Sequence, residues 1–96
     1  MSQQEMEHII LDYLKTFNLL QIGVFGSFAR NQQNPGSDID LLVKFKTTPS
    51  LLQLIKIENE LSKKLGIKVD LITKGAIKNK RIKANIEQDL KIIFNA

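Results

Sequence analysis

The segment Asp38-Ile39-Asp40-Leu41-Leu42-Val43 constrains the fold more than any other stretch of the chain. Residues 38–45 read as a strand with a strongly apolar centre. In a strand, residues two apart share a face. Ile39, Leu41 and Val43 therefore point into a core. Asp38 and Asp40 project together on the other side, with Cα atoms roughly 6.5 Å apart. Strand interiors disfavour aspartate, and mutual repulsion raises one pKa unless a cation sits between the two carboxylates. The chain has to build a sheet that is apolar on one side and carries an electrostatic cost on the other.

The remaining segments supply partners for that strand. Met6, Ile9, Ile10, Tyr13, Leu14 and Phe17 recur in steps of three and four, which predicts a helix over 3–17. Ser2 with Glu5 three residues later has the form of a capping box, and Asn18 is a stop. Residues 20–25 read as a short strand. Gly26-Ser27 then turns the chain into a short helix, and residues 32–37 form a loop around Asn34-Pro35-Gly36. Ser50 caps a second helix, with Leu51, Leu54, Ile55, Glu58, Leu61 and Leu65 at helical spacing and Gly66 just past its end.

Residues 67–72 read as a third strand, and 76–88 as a basic helix with Ile77, Ile82 and Ile86 inward. The tail, 90–95, fits a last strand or a last helical turn equally well. This order predicts an α+β fold: one domain over 1–96, with a small mixed sheet and helices packed mainly on one face. Asp12 and Glu58 read as surface charges. His8 reads as partly buried packing and Tyr13 as core.

Composition narrows the chemistry. The chain has no cysteine and a single histidine, which excludes disulfides and thiolate metal sites and leaves little room for a histidine metal site or a Ser-His-Asp triad. No apolar stretch approaches the roughly 20 residues of a membrane helix, and the polar, acidic start is unlike a signal peptide. A cytoplasmic protein without membrane contact is expected. The net charge of +4 is uneven, with Lys74, Lys78, Lys80, Arg81 and Lys83 clustered. The simplest reading of that cluster is a solvated helix face.

Oxygen ligands in small number suit Mg²⁺, which keeps several waters and borrows phosphate oxygens from substrate. Two such ions can be bridged by paired carboxylates to assist a phosphoryl displacement. Asp70 is the candidate third carboxylate, because residues 67–72 are the only other strand-like segment with an acidic centre. If the second and third strands are neighbours, Asp70 sits beside the pair. A helix opening at Ser27 would aim its free N–H groups and dipole at a phosphate, and Gly26 would allow close approach.

The combination of Gly26-Ser27-Phe28-Ala29-Arg30 with Ser37-Asp38-Ile39-Asp40 resembles the signature of the DNA polymerase-beta-like nucleotidyltransferase superfamily. The shortness of the chain makes it similar to the minimal nucleotidyltransferases, which pair with a helical HEPN partner as antitoxin and toxin. The resemblance covers essentially the whole chain, and the motif region is its specific part. Two positions depart from the pattern. Asn31 stands where many relatives carry glycine, and asparagine also tolerates a left-handed backbone. Phe28 is large for its place and reads as packing.

The resemblance implies a role for each matching residue. Gly26 and Ser27 would hold the nucleotide phosphates, with Arg30 reaching a phosphate or fixing the loop. Asp38 and Asp40 would bind two Mg²⁺ ions. Asp70 would bind one of them and help activate the incoming hydroxyl. The activity implied is transfer of AMP from ATP to a hydroxyl, expected to be a tyrosine, of a cognate HEPN toxin. No extra domain to hold an acceptor is expected, which suits an acceptor that brings its own surface.

The alternative is a non-catalytic antitoxin that acts by binding alone. Direct nucleic-acid binding by the isolated chain is disfavoured: no reading motif is recognisable, and only one tyrosine and five phenylalanines could stack bases. A homo- or hetero-oligomer is expected to cover part of the exposed sheet.

Overall fold

The computed structural model describes residues 2–26, 38–73, 75 and 79–96. The elements run α1 (Gln3–Leu14), β1 (Leu19–Phe25), β2 (Ile39–Phe45), α2 (Leu51–Leu65), β3 (Val69–Thr73), α3 (Lys80–Asp89) and β4 (Lys91–Asn95). The four strands form one sheet in the order β3-β2-β1-β4. β1 pairs antiparallel with both β2 and β4. β2 and β3 are parallel. A parallel pair needs a crossover connection, and α2 provides it. The expected α+β architecture is the one found, and the undecided tail is strand β4.

The alternation in β2 sets the core. Ile39, Leu41 and Val43 are completely buried, together with Ile22 and Val24 of β1 and Val69 of β3. From the helices, Ile10 and Leu14 of α1 and Ile57, Leu61 and Leu65 of α2 close over the same face. Among the described helices, α1 and α2 thus cover one side of the sheet. On the other side, Gly23 makes room for the residue that ends α3: a Cβ there would lie 2.5 Å from Cδ1 of Leu90.

The helix ends follow their sequence signals. Ser2 Oγ accepts the Glu5 N–H and Ser50 Oγ accepts the Gln53 N–H. Gly66 ends α2 with φ at 74°, in the left-handed region that glycine enters without steric cost. Asn79 caps α3, its Oδ1 accepting from Arg81 N and Ile82 N.

Five expectations need correction. α1 stops at Leu14 rather than Phe17, because the chain tightens there: Phe17 N donates to the Leu14 carbonyl and Thr16 Oγ1 to that of Tyr13. α2 buries Ile57, Leu61 and Leu65, with Leu54 beside them, while Leu51 (73% exposed) and Ile55 (46%) face outward. In α3, which begins at Lys80, Ile86 is buried but Ile82 is exposed; Ile77 lies outside the described residues. His8 is exposed beside Asp12 one turn on, with Nε2 and Oδ2 3.3 Å apart. Glu58 is no idle surface charge, since its Oε2 accepts the Leu71 N–H at 2.7 Å. Tyr13 packs partly against the core and donates its hydroxyl to Glu60 Oε2 at 2.6 Å. Among the described residues, no helix is long and apolar enough to cross a membrane.

Candidate functional site

The parallel register of β2 and β3 brings the predicted carboxylates together. Asp40 lies directly opposite Asp70, flanked by the core pairs Ile39–Val69 and Leu41–Leu71. The flanking pairs sit on the covered face, so the two aspartates share the other one. Asp38 immediately precedes β2, two residues from Asp40 and on the same side. All three side chains are only partly exposed.

β1 brings the glycine. Phe25 is the partner of Asp40 in the antiparallel ladder, and Gly26 follows as the chain leaves the strand. Gly26 has φ at +73°, and a Cβ on it would lie 2.6 Å from Asp40 Oδ2. Two independent constraints therefore require glycine here: the left-handed backbone and the carboxylate pressed against its Cα. Ser27 and Arg30 lie outside the described residues, as does the short helix expected to open at Ser27.

The electrostatics follow from this packing. Burial, and then the charges of Asp70 and Asp38, push the Asp40 carboxyl above the usual carboxylate range. Among the described residues, Asp70 has one cationic neighbour, Lys68, whose Nζ stands 3.9 Å from Oδ1. At that distance on an exposed side chain it gives weak compensation.

The donor set is made of carboxylate oxygens only, and its members repel one another. That chemistry fits a hard divalent cation. Among the described residues, no group of three acidic side chains forms a ready-made metal cage. A site of this kind suits an ion that arrives with water and substrate oxygens completing its shell. The sequence pointed to Asp38, Asp40, Asp70 and Gly26, and the described structure brings these four to one rim of the sheet.

Comparison with known proteins identifies the family and the fold. The profile of the nucleotidyltransferase domain matches residues 8–93. A provisionally assigned protein adenylyltransferase of Methanocaldococcus jannaschii is 54% identical over 74 residues, covering 77% of this chain and 76% of that one. The protein adenylyltransferase MntA of Thermococcus cleftensis is 40% identical over 80 residues, covering 79% and 81%.

Several solved structures share the fold, two of them as follows. One is a toxin–antitoxin with AMP-PNP (TM-score 0.85, 23% identity, 94% of this chain and 73% of that one). The other is the tri-AMPylated Shewanella oneidensis HEPN toxin in complex with MNT antitoxin (TM-score 0.81, 22% identity, 99% and 74%).

Proposed function

Since the chain belongs to the nucleotidyltransferase domain family, we propose that it is a Mg²⁺-dependent protein adenylyltransferase. It acts as an antitoxin, moving AMP from ATP to a hydroxyl, that of a tyrosine, on a cognate HEPN toxin. The observation that carries this reading is the pairing of Asp40 with Asp70 across β2 and β3, with Asp38 beside them and Gly26 against Asp40. The protein adenylyltransferase names of its relatives and the toxin–antitoxin structures that share its fold support the choice of substrate and partner.

Asp38, Asp40 and Asp70 would hold Mg²⁺. When bound, the ion would neutralise the polyphosphate and stabilise the attacking and leaving oxygens of the displacement. The protein's own groups do the rest. Gly26 lets the backbone after β1 approach the phosphates, and Ser27 and Arg30 hold them. Asp70, on the edge strand, faces the acceptor and takes the proton of the incoming hydroxyl. That oxygen bonds to the α-phosphorus, the bond from this phosphorus to the bridging oxygen breaks, and pyrophosphate leaves. Asp40, crowded by two carboxylates and partly buried, gains most from a cation and anchors the site.

The distinguishing experiment is neutralisation in cells. The toxin is expressed with the wild-type chain or with the Asp38→Asn, Asp40→Asn double variant, both checked to be folded. Growth restored by the wild type alone supports catalysis. Growth restored equally by the double variant would mean that binding suffices.

A further inference from the structure

β3 is an edge strand, and an edge strand leaves alternate backbone N–H groups unpaired. Asp70 therefore rides on what would ordinarily be the least secured strand of the sheet. Here that edge is tied down. Val69 N donates to Ser62 Oγ at 2.9 Å and Leu71 N donates to Glu58 Oε2 at 2.7 Å. Ser62 Oγ in turn donates to the Glu58 carbonyl at 2.7 Å, which fixes the hydroxyl's direction.

The spacing explains why this works. Glu58 and Ser62 are one helical turn apart, a rise of about 6 Å. Val69 and Leu71 are two strand residues apart, about 6.5 Å. The two pairs match, so two side chains of α2 reach two consecutive outward-facing amides of β3. α2 is itself anchored by the buried Ile57, Leu61 and Leu65. The residue between the two tied amides is Asp70. Its inner edge is held by β2, where Ile39 N donates to the Lys68 carbonyl and Asp40 is in register.

We infer that Glu58 and Ser62 are positioning residues of the carboxylate site: together they clamp the main chain on both sides of Asp70 and hold it opposite Asp40. Glu58 supplies the stronger tie, because a carboxylate accepting an N–H forms a short, charge-assisted bond. Its role is to accept one hydrogen bond at a fixed place. This inference rests on the proposed transferase activity only for its functional consequence.

The test compares Glu58→Ala, which removes the acceptor, with Glu58→Gln, whose amide oxygen keeps it. The full chain is assayed with the toxin, ATP and Mg²⁺, and exchange of the Leu71 amide is followed alongside. Glu58→Ala is expected to lower kcat by roughly ten- to a hundred-fold, the scale for misplacing a reacting group by up to 1 Å. The KM for ATP should change little, and the Leu71 amide should exchange faster. Glu58→Gln should restore both readouts most of the way.

Ser62→Ala, which loses the Val69 bond and the hydroxyl's own bond to the Glu58 carbonyl but keeps the Leu71 tie, should fall between them and serves if Glu58→Ala does not fold. Glu58→Ala with wild-type kcat, or Glu58→Gln as impaired as Glu58→Ala, would overturn the inference. If the wild type itself transfers no AMP, the transferase reading falls instead, and amide exchange alone decides the clamp: an unchanged Leu71 rate in Glu58→Ala would refute it.

Discussion

Gly26→Ala tests the site against a control built into the same chain. Gly26 and Gly66 have nearly the same backbone, with φ at 73° and 74°. An alanine at either place meets the same left-handed penalty, about 1–2 kcal/mol. Their surroundings differ. Nothing lies within 4 Å of a Cβ at Gly66, whereas at Gly26 the Cβ meets Asp40 Oδ2 at 2.6 Å. Ordinary contact begins at 3.4 Å, so the carboxylate must retreat by about 0.8 Å.

A displacement of that size in a reacting group costs up to about 100-fold in rate, equivalent to roughly 2.7 kcal/mol of transition-state stabilisation. Urea unfolding of the two variants should therefore give similar losses, about 1–2 kcal/mol each. AMP transfer to the toxin should fall by one to two orders of magnitude in Gly26→Ala and stay within about twofold of wild type in Gly66→Ala. Equal transfer rates in the two variants would refute the claim that Gly26 is there to seat Asp40.

Other consequences follow from burial and charge. Asp40 is raised above its unfolded-state pKa, so the folded protein holds its proton more tightly than the unfolded chain does. Stability then falls as pH rises from the unfolded pKa through the folded one, and the ionised group is a net burden at neutral pH. Asp40→Asn should consequently raise the melting temperature at pH 7, and the gain should vanish below about pH 4; a gain that persists unchanged in acid would contradict this origin. Leu61→Ala should cost about 2–5 kcal/mol in urea unfolding, since Leu61 is fully buried beneath the sheet. Leu52→Ala, at a site 81% exposed, should stay within about 0.5 kcal/mol of wild type.

What could be read from the sequence was local. The alternation in β2 identified both its buried face and its carboxylates, because the period of a strand leaves no other assignment once one set is apolar. Ser2, Ser50 and Gly66 marked helix ends through bonds and dihedrals confined to a few residues. What was harder depended on partners far along the chain. The tail became a strand by pairing with β1, a choice its five residues do not encode alone.

In α2 two rows have helical spacing, 51/55/58 and 54/57/61/65, and a sequence does not say which one meets the sheet. The second row lies on the core. The first looks along β3, where Glu58 finds the Leu71 amide. His8 sits at the margin of the α1 stripe, and it lies on the solvent side beside Asp12. The candidate site was legible as a set of residue types. Its register, Asp40 opposite Asp70, came only from the parallel pairing that α2 makes possible.

The most direct measurement is label transfer. The chain is incubated with Mg²⁺, the proposed HEPN partner and ATP labelled on the α-phosphate, beside the Asp38→Asn, Asp40→Asn variant. Label on the partner with the wild type, and none with the variant or with ATP labelled on the γ-phosphate, is the predicted result. No label on the partner while the two proteins still form a stable complex would contradict a transferase and leave an antitoxin that works by binding.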